Sequence, residues 1–163
     1  MPTHSPSAGA VKTIRGADIS ALSVGEFKLA ESKPEAIDKS ITSRSQTLVP
    51  QEGSISGYLR SALVTELQTA GKYDEASKIQ VSGELTESEL NTNMGTADGT
   101  LGARFKVTGG KAEYDKVLSV KRTWESSFVG AIAIPKALQE YMGLYERLLK
   151  KLFTDPEFVT AAQ

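Results

Sequence analysis

The residues that most often carry out catalysis are scarce in this chain. Cysteine is absent and the only histidine is His4, so disulfides, thiolate zinc sites and cysteine nucleophiles are excluded. A hydroxyl nucleophile needs an adjacent base, and no histidine outside the N-terminal segment could serve as one. Glu87 and Glu89 could act as a general acid and base only if burial raised the pKa of one carboxyl group. They lie among polar turn formers, which favours ordinary solvated carboxylates.

Two glycine-rich stretches, residues 94–103 and 107–114, raise the question of a phosphate-binding loop. Neither has the residue order of a P-loop, and neither leads from a strand directly into a helix. Residues 91–99 contain one Asp and two Asn but lack the spacing and the terminal Glu of an EF-hand loop. We therefore predict no catalytic residue, no cofactor and no metal site, and we expect that the protein is not an enzyme.

Length and charge narrow the class of protein. The 163 residues fit one domain, and a hydrophobic fraction of 39% is enough for one core. Lys and Arg number 19 against 20 Asp and Glu, so no overall field attracts a polyanion and nucleic acid is not an expected partner.

Residues 1–12 are small and rich in Pro and Ser, which predicts a flexible leader or tether. Residues 13–163 are expected to form a single α+β domain.

Apolar periodicity predicts the elements that would position any site. The clearest helix follows Ser54, a plausible N-cap, and ends at Gly71, which suits a left-handed C-terminal position. A strand is predicted within residues 19–30, and a long connection follows, with a short strand near residues 45–49. Three later strands show alternating apolar residues and are joined by a polar connection over residues 87–99 and a hairpin at Gly109-Gly110.

The second long helix is predicted to begin near Ile134, with Pro135 at its first position, where the missing N–H costs nothing. Trp124, Tyr141 and Tyr145 are assigned to the core. The pattern predicts an α+β fold: a two-layer sandwich with a mainly antiparallel sheet of about four strands. The order is β-α-β-β-β-α, with two long helices on one face of the sheet. On the polar face, Glu84 is expected near the cations Arg104, Lys106 and Lys121.

The connector between the last strand and this helix is unusually apolar. Residues 128–134 carry no charge and include Phe128, Val129 and Ile132. The segment could pack across the end of the core, or it could be exposed and contact a partner or a second copy. It could also dip into a membrane. If it is exposed, we expect the three named side chains to form a partner contact.

The order of elements, together with phrases such as "YLRSALVTEL" and "LFTDPEF", resembles small bacterial envelope lipoproteins of the YajG type and related uncharacterised proteobacterial lipoproteins. The resemblance implies an exported, periplasmic protein that is anchored to a membrane by an acylated N-terminal cysteine. This chain lacks both a signal peptide and that cysteine, as would a chain trimmed just after the lipidated residue. The resemblance carries no catalytic residues.

Two functions from different classes follow from these observations. The first is a non-catalytic periplasmic module that binds an envelope transport or assembly partner, or associates with itself. The alternative is a carrier of a small apolar ligand or lipid, with a pocket between the helices and the sheet. The carrier requires an apolar cavity of about 300–1,000 Å³, whereas the binding module requires an exposed contact surface.

Overall fold

A four-stranded sheet with helices packed on its apolar side makes up most of the molecule. The computed structural model describes all 163 residues. The helices are α1 (Ala8–Gly16), α2 (Ala36–Lys39), α3 (Ile55–Ala70), α4 (Gly130–Phe153) and α5 (Pro156–Ala161). The strands are β1 (Ser23–Leu29), β2 (Ile41–Ser43), β3 (Gln46–Leu48), β4 (Gln80–Asn91), β5 (Gly95–Thr108) and β6 (Tyr114–Ser126). The predicted α+β class is confirmed.

The sheet is mixed. Its strand order is β1-β4-β5-β6, with β4, β5 and β6 antiparallel and β1 parallel to β4. A parallel neighbour requires a crossover connection, and here that connection contains α2, α3 and the separate β2–β3 hairpin. The edges of the sheet are therefore β1 and β6.

The core lies between the sheet and the helices, as the alternation predicted. Phe105 and Leu118 face it, at 0% and 5% exposure, and a single cluster of 32 buried residues joins both layers. Helix α3 has the predicted ends: the Ser54 hydroxyl accepts from the amide of Gly57, and Gly71 adopts φ 72°. Trp124, Tyr141 and Tyr145 are also buried, so their assignment to the core is confirmed.

Residues 87–99 are not a polar connection, contrary to the prediction. Strand β4 runs to Asn91 and β5 begins at Gly95, so that only the short turn between them is irregular. An irregularity between Leu85 and Glu87 shifts the register and turns the polar Ser88 inward, where its hydroxyl lies 2.8 Å from that of Tyr141. The inward-facing position is polar, which is why the alternation of apolar residues did not show this strand.

Helix α4 starts earlier than predicted. Its first residue is Gly130, so Pro135 lies inside the helix rather than at its first position. Proline cannot donate to the carbonyl four residues before it, and the carbonyl of Ala131 therefore lacks its helical partner. We expect the first turn of α4 to be the least stable part of this helix.

The N-terminal segment differs from the predicted leader. Residues 8–16 form α1, which is capped by the Ser7 hydroxyl and buries Ala10 and Ile14. His4 shares a 2.8 Å hydrogen bond with Glu66, a buried residue of α3. These contacts hold residues 1–12 against α3 and α4 instead of leaving them as a free tether.

None of the helices combines the length and the apolar character that crossing a bilayer requires. The longest, α4, has basic residues in its last turn, Lys150 and Lys151. Its buried side chains follow one stripe that faces the sheet. The stripe comprises Ala133, Ala137, Tyr141, Leu144, Tyr145, Leu148, Leu149, Leu152 and Phe153.

Candidate interaction surface

Four large apolar side chains are exposed together at one end of the sheet. Their exposed fractions are 68% for Met94, 75% for Phe128, 55% for Val129 and 61% for Ile132. We call these four residues the end patch. Of the three alternatives for the connector, packing across the core does not hold for Phe128, Val129 and Ile132, because a packed side chain would be shielded from water.

Strand register brings the members of the end patch to the same place. Met94 lies in the β4–β5 turn, directly before Gly95, and Gly95 pairs with Ser126 at the end of β6. The chain then passes through Phe128 and Val129 into the first turn of α4, which carries Ile132. The patch therefore draws on a turn, a connector and a helix start that meet at one sheet end.

Arg44 ties these segments together. Its side chain comes from the β2–β3 turn and donates to the carbonyl of Ser127 at 2.6 Å and to that of Phe128 at 3.4 Å. It also donates to the carbonyl of Thr92 at 3.3 Å, beside the β4–β5 turn. One guanidinium group thus fixes the backbone on both sides of the patch, since its planar donors can serve several acceptors at once.

The backbone at Arg44 is itself unusual. Its φ of 53° lies in the left-handed region, which costs free energy for a residue with a side chain. A two-residue hairpin turn requires such a conformation, and glycine is the usual choice. Here the strained residue is the one whose side chain clamps the end patch, and its amide also donates to the Thr92 hydroxyl at 3.2 Å.

The sequence predicted three members of the end patch as a contact surface. It did not indicate the fourth member, Met94, or the residue that holds the patch in place, Arg44. Met94 was assigned to a polar connection, although a methionine in a tight turn is itself a signal of an exposed apolar residue. Arg44 belongs to a segment without periodicity, and its acceptors at Ser127 and Phe128 lie more than eighty positions further along the chain. No local pattern could have revealed this contact.

The interior offers little space for an apolar ligand. The apolar gap between α1, α3 and α4 has a volume of about 10 Å³, and it is lined in part by Ile14, Leu149 and Phe153. That is far below the size of a drug-like ligand pocket. Aromatic rings instead fill the contact between α3 and α4, where the ring centroids of Tyr58 and Tyr145 lie 4.8 Å apart. They also fill the contact between β6 and α5, where the ring centroids of Tyr114 and Phe158 lie 5.7 Å apart.

Buried hydroxyl groups form the polar part of this interior. Ser88, Tyr141 and Tyr145 are linked by hydrogen bonds of 2.8 and 3.0 Å. Burial raises the pKa of the Tyr145 hydroxyl well above its usual value, so the group stays protonated and donates or accepts a hydrogen bond rather than acting as a base. The chain brings no three His, Asp or Glu side chains together in a way that could hold a metal ion.

Two comparisons with known proteins returned nothing: no family model matches the chain, and no curated protein matches it. Distant likeness to solved structures was found. A candidate lipoprotein from Caulobacter crescentus CB15 is 12% identical, with a TM-score of 0.49, and the match covers 94% of this chain and 95% of that one. A Xanthomonas campestris protein of the DUF330 family is 12% identical, with a TM-score of 0.47 over 88% and 83% of the two chains.

A third solved structure, of an uncharacterised protein, is 12% identical, with a TM-score of 0.45 over 81% of this chain and 91% of that one. The YajG type itself stays a prediction. At this level of identity no property of these proteins is assigned to the present chain.

Proposed function

We propose that this chain is a non-catalytic accessory module of the bacterial envelope that holds a partner protein through the end patch. The observation that carries the proposal is the exposure of Phe128, Val129 and Ile132 in one short segment. Contiguous exposed apolar side chains on a folded domain mark contact surfaces. The occupant we propose is a transport or assembly protein with an apolar pocket that accepts Phe128.

The energetics favour such a contact. Burying one large apolar side chain contributes about 1.5–3 kcal/mol relative to leaving it in water. Aromatic anchors surrounded by smaller contacts dominate most interfaces, and the end patch offers one exposed aromatic side chain, Phe128, together with three aliphatic ones. Arg44 already fixes the backbone at Ser127 and Phe128, so less conformational entropy is lost when the partner binds.

The proposed location rests on the resemblance to envelope lipoproteins. In this proposal the module lies in the periplasm. A lipid anchor, rather than a helix of this domain, attaches the module to a membrane. Stable attachment of this kind takes two membrane signals, such as two acyl chains. No cofactor takes part in the proposed function. The gap of about 10 Å³ between α1, α3 and α4 is too small for the apolar ligand that a carrier would hold.

The test is site-specific photo-crosslinking in intact cells. A photoreactive residue at position 132 is expected to give an adduct with one envelope protein, and Phe128→Asp in the same chain is expected to abolish it. A photoreactive residue at Val49, which is 57% exposed on another loop, is the matched control and should give no such adduct.

Three outcomes would contradict the proposal. An adduct of the chain with itself, accompanied by dimers in sedimentation that Phe128→Asp dissociates, would make the patch a self-association surface. Adducts confined to lipid would make it a membrane contact. An envelope-protein adduct that persists in the Phe128→Asp chain would also rule out the patch as the binding site.

A further inference from the structure

The two edges of the sheet are closed to different degrees. Strand β1 has seven residues and an irregular register with β4, and Arg60 covers its edge by donating to the carbonyls of Val24 and Gly25 at 3.0 and 2.8 Å. Strand β6 has thirteen residues and pairs only with β5. Short, bulged or covered edges resist pairing with another chain, whereas a long open edge permits it.

One contact shows which backbone groups of β6 face outward. Lys151 donates from Nζ to the carbonyl of Ser119 at 2.9 Å, so this carbonyl points away from β5. In an antiparallel pair, the N–H and C=O of one residue point the same way and alternate along the strand. The backbone groups of Val117, Ser119 and Lys121 are therefore directed outward, and their amides make no bond outside the strands.

A groove runs between this edge and α4. One depression of about 470 Å³ is lined by Ser119, Val120, Lys121, Arg147, Lys150 and Lys151, together with Thr154. A second of about 440 Å³ shares Arg147 and Lys150 and continues toward Arg122. An edge strand with a helix alongside it is a shape that accepts an extended segment.

The groove is cationic although the chain as a whole is nearly neutral. Arg147, Lys150 and Lys151 form no ion pair, whereas the carboxylate of Glu140 is held by Arg122 at 2.7 Å and by Lys136 at 3.2 Å. Three positive charges beside the open edge are therefore left without a carboxylate partner. Complementary charge steers a partner to its site and excludes partners of the same sign.

We propose that an extended acidic segment of a partner protein adds to β6 as a fifth strand and places its carboxylates against Arg147, Lys150 and Lys151. The main chain of the segment pairs with the outward groups of Val117, Ser119 and Lys121, displacing Lys151 from the Ser119 carbonyl. The exposed Val117 side chain, at 57%, meets an apolar residue of the segment. This surface is separate from the end patch and does not depend on it.

The probe is a short synthetic peptide in which glutamate alternates with valine, titrated against the whole chain. Amide hydrogen exchange at Val117, Ser119 and Lys121 is expected to slow on binding, while the same amides stay unchanged with a peptide that carries lysine in place of glutamate. The affinity of the chain for the glutamate peptide should fall about tenfold between low and moderate salt, because salt screens the attraction between exposed charges.

Two matched pairs of variants separate the backbone contribution from the charge contribution. Ser119→Pro removes an outward N–H that no strand uses, which an edge tolerates, and is expected to abolish the exchange protection, whereas Ser119→Ala should keep it. Arg147→Gln with Lys150→Gln should weaken binding at least about tenfold, whereas Lys28→Gln, an exposed lysine in β1, should not. Circular dichroism melts check that each variant folds.

The proposal is overturned if the peptide does not bind, or if Ser119→Pro binds it as well as the parent chain. It is also overturned if vesicles with anionic lipid bind through Arg147 and Lys150 while the peptide leaves the β6 amides unprotected. In that case the cations face a membrane surface. The photo-crosslinking test of the end patch is unaffected by either result.

Discussion

Helix α4 has phenylalanine at both of its ends, and the two ends use it differently. Phe128 precedes the first turn of α4 and is 75% exposed. Phe158 follows the last turn of α4, lies in α5 and is fully buried. At the C-terminal end, the ring centroids of Phe153 and Tyr114 lie 5.5 and 5.7 Å from that of Phe158. Apolar composition alone therefore does not decide burial, since burial depends on whether another element covers the side chain.

The polar contacts at the two ends of α4 also differ. At the C-terminal end, the Asp155 carboxylate accepts from the hydroxyl of Tyr114, from Lys116 and from the amide of Glu157. These bonds attach α5 to β6. At the N-terminal end, Arg44 donates to the carbonyls of Ser127 and Phe128 and to the Ser126 hydroxyl, while the Phe128 side chain stays exposed. The contacts of Asp155 stabilise the fold, whereas those of Arg44 fix the backbone of an exposed apolar surface.

The largest effect is expected from Phe158→Ala at the covered end. Removing a buried phenyl ring leaves a cavity and costs about 3–5 kcal/mol of the free energy of unfolding. Urea denaturation followed by circular dichroism measures this loss. A loss below about 1 kcal/mol would show that the covered end collapses around the cavity and that the contrast between the two ends is small.

A pair of glycine substitutions is expected to have the next largest effect. A Cβ at Gly110 would lie 1.9 Å from the carbonyl oxygen of Ala161, whereas a Cβ at Gly130 would meet nothing closer than 3.7 Å. Gly110→Ala should therefore cost about 1–3 kcal/mol. Gly130→Ala should be neutral or should stabilise the helix by up to about 1 kcal/mol. Equal melting temperatures for the two variants would contradict this.

Removing the charge of Asp155 is expected to have a smaller effect. Burial raises the pKa of this carboxyl group, but the hydrogen bonds from Lys116 and Tyr114 outweigh it and lower the pKa below its usual value. A depressed pKa means that the stabilisation is present above the unfolded pKa and is lost as the pH falls through the folded value.

Asn keeps an oxygen that can cap α5 but lacks the negative charge that attracts Lys116. Asp155→Asn should thus cost about 1 kcal/mol near neutral pH through weaker hydrogen bonds, and the difference from the parent chain should shrink in strong acid. Denaturant titrations at several pH values below about 5 measure this convergence. A difference that stays constant down to the lowest pH would show that the carboxylate charge is not the source of the stabilisation.

The smallest effect on stability is expected from Phe128→Asp at the exposed end. A surface substitution that removes no packing changes the free energy of unfolding by less than about 0.5 kcal/mol. The melting temperature should therefore stay the same while the envelope-protein adduct disappears. A melting temperature that falls by as much as that of Phe158→Ala would show that Phe128 is packed, and the end patch would then not exist in solution.

The parts of the fold that were predictable have local causes. Ser54 and Gly71 mark the ends of α3 by capping chemistry, and alternation in β5 places Leu101 and Phe105 inward, as the structure shows. The α+β class follows from these segments. The exposure of Phe128 was one of three open alternatives, because whether a connector is covered depends on where distant elements end.

The parts that were not predicted depend on tertiary contacts. The start of α4 ahead of Pro135 and the inward turn of Ser88 contradict local rules, and Ser88 is compensated by a hydrogen bond to Tyr141 from a different element. The docking of residues 1–12 rests on contacts such as that of the Tyr58 hydroxyl with the carbonyl of Pro2. Sequence spacing contains no signal for contacts of this kind.

The parallel position of β1 has a consequence for the folding of this chain. Strands β4, β5 and β6 are joined by short turns, whereas α2, the β2–β3 hairpin and α3 separate β1 from β4 in the sequence. We therefore expect the three later strands to associate before β1 joins them. Closing so long a loop slows folding. Until β1 arrives, the β4 edge is unpaired, and at high concentration a refolding chain is most exposed to aggregation at that stage.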